Sequence, residues 1–238
     1  MQYMGSKNKL ADKLLSIILK NRKSNQWYVE PFVGGANLID KVDGNRIGND
    51  NHYYLIKMWE ALQAGWEPPT VITREEYYEI KRTKEYCLPA LVGFVGFLCS
   101  FGGKWWGGYA ANKKSDNYAD RGSRMLLKQI KNLKNVIFSN YNYWEMNIPL
   151  NSLIYCDPPY KGTTKYNYNK VTFDYDFFWN WVKNMTDGGH DVFVSEYAAP
   201  RDFICIEQFP HKTILNKNSQ DSRIEKLFIH NKLLNHND

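Results

Sequence analysis

Four consecutive residues, Asp157-Pro158-Pro159-Tyr160, carry the clearest chemical signature of the sequence. They follow residues 152–156, a short apolar run that predicts a buried strand. Two prolines fix the backbone and remove two N–H donors, so nearby carbonyl groups remain available as acceptors. The Asp157 carboxylate and the Pro158 carbonyl can together accept both hydrogens of an exocyclic amino group, while Tyr160 stacks on its ring. The pattern favours a site for a planar, amino-bearing ligand over a plain proline-rich turn.

A glycine turn follows the first predicted strand, in the segment Glu30-Pro31-Phe32-Val33-Gly34-Gly35. Glycines at such a turn let the backbone approach a ligand closely. Asp50, about twenty residues after Glu30, ends the next predicted strand and can hold ribose hydroxyls. The G-x-G-x-x-G pattern of dinucleotide sites is missing, which favours a nucleoside cofactor without a pyrophosphate, such as S-adenosylmethionine. The alternative is an ordinary Gly-Gly turn, with Asp50 as a helix cap.

A third candidate segment, Tyr3-Met4-Gly5-Ser6-Lys7, brings an aromatic ring and a cation together at a glycine turn before the first predicted helix. The Lys7 ammonium would suit the carboxylate of a cofactor. Taken alone, however, the segment is also typical of an ordinary exposed N-terminal lysine.

Strand-like and helix-like runs alternate along most of the chain, which predicts an α/β fold with a mostly parallel sheet covered by helices on both faces. The predicted strands are residues 27–32, 46–49, 136–139, 152–156, 191–195, 203–209 and 227–230. The predicted helices between them are residues 8–21, 37–42, 53–63 and 175–185.

The alternation is interrupted at residues 67–135, where helical patterns at residues 74–86 and 121–133 flank an apolar run. We therefore predict a mainly helical inserted subdomain, with residues 1–66 and 136–238 forming the main domain.

Residues 104–134 contain eight basic residues against two acidic ones, which accounts for the whole formal net charge of +6. A polyanionic partner and a plain solvated surface explain this charge about equally well. The basic residues are Lys104, Lys113, Lys114, Arg121, Arg124, Lys128, Lys131 and Lys134, and the acidic ones are Asp116 and Asp120.

Residues 101–109 combine glycines with Lys104, Trp105 and Trp106. This composition predicts a hairpin whose tryptophans can wedge into a gap in a nucleic acid. Alternatively, the two tryptophans seal the inserted subdomain.

Four cysteines, Cys87, Cys99, Cys156 and Cys205, are widely spaced and lack the pattern of a metal site. They are typical of reduced thiols in a cytoplasmic protein.

The apolar residues near the N-terminus are too few and too interspersed with lysine for a membrane segment, so no membrane partner is expected.

With these motifs in this order, the chain resembles the Dam-type, α-group DNA adenine-N6 methyltransferases of the D12 class, including the compact solitary enzymes of bacteria and their viruses. The likeness covers essentially the full length, and residues 223–228 resemble the family's C-terminal strand. It implies a Rossmann-like class I methyltransferase sheet with one antiparallel strand near the edge, and a target-recognition role for the insert. It also implies S-adenosylmethionine as methyl donor, no metal, double-stranded DNA as partner, and a monomer that flips the target adenine out of the duplex. GATC is the recognition site that the family suggests.

The resemblance assigns roles to individual residues of this chain. The expected catalytic residues are Asp157, Pro158, Pro159 and Tyr160. The expected cofactor contacts are Tyr3, Lys7, Glu30, Phe32, Gly34, Asp50 and Asp157, and the expected DNA contacts are Lys104, Trp105, Trp106, Arg121, Arg124 and Lys128.

Two residues depart from the family pattern. Ala36 replaces the final glycine of the glycine motif, which is tolerable if its φ is negative. Asn142 stands near a position where the family often has an acid that binds the adenine amino group of the cofactor.

Other functions remain open from the sequence alone. Methylation of cytosine N4, of RNA adenine or of a glutamine side chain would use related folds, although several of those enzymes have Ser or Asn where Asp157 stands. A DNA-binding protein that keeps the fold without catalysis is the alternative of a different class.

Overall fold

The structure, a computed structural model, describes residues 1–111, 117–161, 172–210 and 224–234. Of the residues named above, Lys113, Lys114, Asp116 and Arg223 lie outside the described residues.

One sheet organises the chain. Its strands are β1 (Tyr28–Glu30), β2 (Arg46–Asn49), β3 (Val136–Ser139), β4 (Leu153–Cys156), β5 (Asp191–Glu196), β6 (Phe203–Pro210) and β7 (Ile224–His230). They lie in the order β3-β2-β1-β4-β5-β7-β6. The first five are mutually parallel, whereas β7 is antiparallel to both β5 and β6. The expected mostly parallel sheet with one reversed strand near its edge is confirmed.

Helices cover both faces of this sheet. They are α1 (Ala11–Ile18), α2 (Tyr53–Gln63), α3 (Arg74–Arg82), α4 (Pro89–Leu98), α5 (Tyr118–Gln129) and α6 (Tyr175–Asp187). Because side chains alternate along a strand, successive residues of β4 face different layers. Leu153 and Tyr155 pack in a core with residues of α1 to α5, whereas Ile154 and Cys156 pack against residues of α6. No helix among the described residues is long and apolar enough to cross a bilayer.

Two predicted helices are shorter than expected. The first was predicted over residues 8–21, but α1 covers only Ala11–Ile18, and its N-cap residue, Leu10, makes no side-chain capping bond. The second was predicted over residues 37–42 and is a single 3-10 turn, Ile39–Lys41. A helix needs several turns to offset the cost of its nucleus, and this segment is too short because Ala36 has a positive φ and Val42 is extended.

The helices of the insert share a core with the main domain. α4 packs against α2, α3 and α5, and its apolar residues lie in the same cluster as those of α1 and α2. The approach of α4 to α2 is close because Gly93 has no side chain. A β-carbon at Gly93 would overlap the Tyr54 carbonyl oxygen of α2.

We expect Gly93→Ala to lower the free energy of unfolding by about 1–3 kcal/mol, because a backbone carbonyl cannot move aside for the added methyl group. At an unobstructed position inside a helix, the same change would stabilise by roughly 0.5–1 kcal/mol. Urea unfolding of both proteins measures the difference, with Lys81→Ala on the exposed face of α3 as control. A Gly93→Ala protein as stable as the wild type would contradict the close packing of α2 and α4.

Candidate active site at the carboxyl edge of the sheet

Parallel pairing brings the three predicted motifs to one edge of the sheet. β1 pairs with β2 on one side and with β4 on the other, all in the same direction. The glycine turn follows β1, Asp50 follows β2 and Asp157 follows β4. The carboxyl ends of three adjacent strands thus present these groups together, at the edge where open α/β sheets bind ligands.

The glycine turn is built around a direct contact with the N-terminal segment. Gly34 has a φ of +47°, a conformation that favours glycine. A β-carbon at Gly34 would lie 2.9 Å from the Tyr3 ring, and Trp59 Nε1 donates to the Gly34 carbonyl at 3.2 Å. Two of the segments singled out from the sequence therefore pack against each other, and the Tyr3 ring occupies the space that a side chain at Gly34 would need.

Asp50 fixes the glycine turn through its carboxylate. Oδ2 accepts a hydrogen bond from the Gly34 backbone N–H at 3.1 Å, and Oδ1 accepts one from the His52 N–H at 2.9 Å. Burial raises the pKa of Asp50 to about 6, although both backbone donors act to lower it. Each oxygen keeps a second lone pair, so the carboxylate can still accept hydrogen bonds from a ligand.

Ala36 does not have the negative φ that would make alanine tolerable in place of the family's glycine. Its φ is +52°, the left-handed conformation that glycine adopts without strain. The alanine side chain adds about 1–2 kcal/mol of backbone strain there. Two hydrogen bonds hold the residue: its N–H donates to the Val33 carbonyl at 2.8 Å, and Gln129 Nε2 donates to its carbonyl at 2.9 Å.

Lys7 forms a buried ion pair with Asp157. Its Nζ lies 2.9 Å from Asp157 Oδ1, and its side chain is only 8% exposed. The same ammonium lies 4.6 Å from the centroid of the Tyr160 ring. Lys7 is therefore not an ordinary exposed N-terminal lysine, since its charge is directed at the tetrapeptide at residues 157–160.

Burial and charge act in opposite directions on this pair. Burial raises the pKa of Asp157, while the Lys7 ammonium and the Tyr160 hydroxyl act to lower it. For Lys7, burial acts to lower the pKa, but Asp157 and Glu225 outweigh it and the pKa is raised. The ammonium is consequently charged at neutral pH and stabilises the ionised form of Asp157.

Further carboxylates surround the pair, and two of them were not assigned from the sequence. Glu196, at the end of β5, accepts from the Lys161 N–H at 3.1 Å, and burial raises its pKa to about 7. Glu225, on β7, lies 3.6 Å from Lys7 Nζ. Burial also raises the pKa of Glu30, the expected cofactor contact, to about 8, and the Tyr28 hydroxyl donates to it at 2.9 Å. A positive charge would favour the ionised forms of these buried acids, so their surroundings suit a cationic ligand.

Glu225 could have been found from the sequence only by knowing the direction of its strand. The first residues of a reversed strand lie at the carboxyl edge of its parallel neighbours, and apolar periodicity does not reveal that reversal. Glu196 was visible as an acid at a predicted strand end, a position equally typical of a residue without function.

Phe32 and Asn142 mark the side of the site nearest β3. Phe32 packs against Tyr143 and Phe178, with ring centroids 5.2 and 5.8 Å away. The Asn142 side chain donates to Glu145 at 2.8 Å and caps a short turn. Glu145 thus brings a carboxylate next to Asn142, where the family pattern led us to expect an acid.

Both tryptophans of the glycine-rich loop pack against other aromatic rings, and Trp105 reaches the main domain, where its ring centroid lies 4.3 Å from that of His52. Trp105 lies against Phe97, with ring centroids 4.8 Å apart, and occupies the space that a β-carbon at Gly96 would need. Trp106 packs edge-on against Tyr77 at 5.2 Å. These contacts favour the sealing role that the sequence left open, whereas Lys104 beside them is exposed.

The expected basic DNA contacts of α5 share one exposed face. Their spacing of three and four residues places them on the same side of the helix, and all three are exposed. Arg124 pairs with Asp120 one turn earlier at 2.6 Å. The residues of this face are Arg121, Arg124 and Lys128.

The described residues contain no group of His, Cys, Asp and Glu side chains arranged to hold a metal ion. The site is instead defined by carboxylates, one buried lysine and aromatic rings.

Comparison with known families agrees with this geometry. A family model described as D12 class N6 adenine-specific DNA methyltransferase matches residues 3–88 and 102–223. A comparison with curated proteins finds no match. The matched segments include the glycine turn, Asp50 and residues 157–160, and make up most of the chain. The chain therefore belongs to the D12 class of N6 adenine-specific DNA methyltransferases and is an adenine-specific DNA methyltransferase.

Proposed function

We propose that this enzyme flips its target adenine out of double-stranded DNA and methylates N6 in a pocket formed by Asp157, Pro158, Pro159 and Tyr160. The observation that carries the proposal is the common sheet edge of Asp157, Asp50 and Gly34. Family membership gives the transferred group, the adenine nitrogen and the DNA. The residue roles, the base flipping and the target sequence belong to the proposal.

The proposed cofactor site is the glycine turn with its neighbours. The fit is supported by the position of the glycine turn and Asp50 at the carboxyl ends of β1 and β2 and by the surplus of acidic groups, since the methyl donor carries a positively charged sulfur. When bound, S-adenosylmethionine supplies an electrophilic methyl group. Asp50 accepts the ribose hydroxyls, while Tyr3 and Phe32 supply aromatic walls. Lys7 and Glu30 complete the site as charged and polar contacts.

The proposed target site orients the adenine amino group. The Asp157 carboxylate and the Pro158 carbonyl each accept one N6 hydrogen, which directs the nitrogen lone pair towards the methyl donor. S-adenosylmethionine held beside this pocket would supply the methyl group and retain the electrons of its carbon–sulfur bond, and Asp157 would take up the N6 proton that is released and pass it to solvent. Extrusion costs a few kcal/mol, of which stacking on Tyr160 returns about 1–3 kcal/mol.

The insert is the proposed target-recognition region. Its exposed basic face on α5 supports contacts to the phosphate backbone, with Lys104 adding a further charge. Trp105 and Trp106 are proposed to support this surface by packing beneath it. By family resemblance we propose a Dam-type enzyme of the compact solitary kind that acts as a monomer on a short sequence such as GATC.

Replacing Asp157 tests the catalytic role. We expect Asp157→Ala to reduce methyl transfer from labelled S-adenosylmethionine to duplex DNA by at least about a hundredfold, because a principal acceptor of the amino group is removed. Asp202→Ala is the control, since Asp202 is an exposed aspartate that pairs with Lys183 on the surface. Equal rates for wild type and Asp157→Ala would contradict the catalytic role of Asp157. If the wild type labels RNA of the same sequence as fast as duplex DNA, an RNA substrate would be favoured.

Asp50 predicts a pH dependence of cofactor binding. Its pKa is raised to about 6 in the folded protein, so the carboxylate ionises, and its affinity for the cofactor rises, as the pH increases through 6. We expect Asp50→Asn to weaken binding by about tenfold at pH 8, the usual effect of losing a charged acceptor. The ratio of the two affinities should fall towards one below pH 6.

Calorimetric titration with S-adenosylmethionine between pH 5 and 8 measures both affinities, with thermal unfolding of both proteins in parallel. A ratio that stays constant over this range would contradict the role of the ionised carboxylate. Absence of any binding heat in the wild type would favour a DNA-binding protein without catalysis.

Arg124 tests the DNA face of α5. We expect Arg124→Ala to reduce the slope of log affinity against log salt concentration by about one, the loss of one phosphate contact. Arg82→Ala is a matched control, because Arg82 is equally exposed and also pairs with an acid of its own helix, Glu79. A slope unchanged by Arg124→Ala in duplex DNA titrations would argue against a phosphate contact.

A further inference from the structure

Glu225 lies at the active-site edge because its strand is reversed. β7 runs antiparallel to β5, and Lys226 is the register partner of Glu196, the last residue of β5. The beginning of β7 therefore lies beside the carboxyl end of β5, next to the end of β4 and Asp157. Glu225 lies outside the segments that the family model matches, residues 3–88 and 102–223.

Two carboxylates share one ammonium at this edge. Lys7 Nζ lies 2.9 Å from Asp157 Oδ1 and 3.6 Å from Glu225 Oε1. The Glu225 side chain is only 4% exposed and that of Lys7 8%, so solvent hardly screens either charge. Lys7 is therefore held between an acid of the proposed target site and an acid on a separate strand.

A second buried carboxylate is not needed to neutralise Lys7. One ion pair with Asp157 already balances the ammonium, and each further buried ion costs several kcal/mol unless it is compensated. Ionisable side chains that are buried beside another charge, as Glu225 is, cluster at functional sites. The cost of burying Glu225 thus points to a role in the reaction rather than in stability.

The role follows from what Asp157 has to do. An ammonium fully committed to Asp157 would draw electron density from that carboxylate and weaken it as an acceptor for the N6 amino group. A second anion 3.6 Å away gives Lys7 an alternative partner when the amino group arrives.

We propose that Glu225 is a positioning residue for methyl transfer, holding Lys7 between two carboxylates so that Asp157 remains a strong acceptor for the adenine amino group. This inference rests on the proposed function. Glu225 acts through Lys7 and does not itself touch the substrate.

The charge of Glu225 also keeps Lys7 protonated, which offers a readout that does not require activity. The titratable groups around Lys7 are Asp157, Glu225, Glu196, Tyr160 and Tyr197. Burial acts to lower the pKa of Lys7, and Glu225 is one of the two carboxylates that raise it. Removing that charge should make Lys7 titrate at a lower pH.

The test compares Glu225→Gln with Glu225→Asp and with Glu207→Gln. Glu207 is the control, because it lies on the neighbouring strand β6 and pairs with Lys13 away from the site. We expect Glu225→Gln to lower kcat by about ten- to a hundredfold, with the calorimetric Kd for S-adenosylmethionine changed less than about threefold. Glu225→Asp, which keeps the charge, should recover part of the rate, and Glu207→Gln should match the wild type.

The pKa of Lys7, followed by NMR of carbon-labelled lysine, gives the second measurement. It should be lower in Glu225→Gln than in the wild type and in Glu207→Gln. An unchanged Lys7 pKa, or a kcat equal to that of Glu207→Gln, would overturn the proposal. A wild type without methyl transfer would instead overturn the proposed function, and the Lys7 titration would still decide whether Glu225 holds the ammonium.

Discussion

The parallel pairing of β2, β1 and β4 is the constraint on which the rest of the structure depends. Because side chains alternate along each strand, a shift of one residue in register would exchange the side chains of its two buried faces. Tyr28, Leu153 and Tyr155 lie in one core, and Val29, Ile154 and Cys156 in the other. The two buried faces therefore fix the register, and the register fixes which residues emerge at the carboxyl edge.

The chemistry at that edge is a balance between burial and charge. Burial raises the pKa of Asp50, Asp157 and Glu196, so these carboxylates become stronger bases than their exposed counterparts. Lys7 opposes this for Asp157 by direct pairing. A cationic cofactor adds positive charge to the same region and would favour the ionised forms further. Binding of a cationic cofactor at this edge is therefore expected to help keep Asp157 ionised.

The sequence predicted the parts of this arrangement that depend on local pattern. Strands Arg46–Asn49 and Val136–Ser139 have the predicted bounds, and Val136–Ser139 consists mainly of the β-branched and aromatic residues that favour strands. The motifs at Asp50 and Asp157 were placed correctly at strand ends. The sign of φ at Ala36 and the packing of Trp105 were not predictable, because each depends on residues far away in the chain. Glu225 was missed for the same reason, since its place depends on the direction of β7.

The close packing at Gly93 has a consequence for how such enzymes change specificity. α4 is wedged between α2, which follows Asp50, and α5, which carries the basic face. Residues 67–135 thus do not form a separate module, since α4 shares a core with α1 and α2. Exchange of the whole insert between relatives would have to preserve that glycine contact. Under the proposed role of α5 in DNA contact, we expect new target preferences to arise more easily by single substitutions on its outer surface than by exchange of the complete segment.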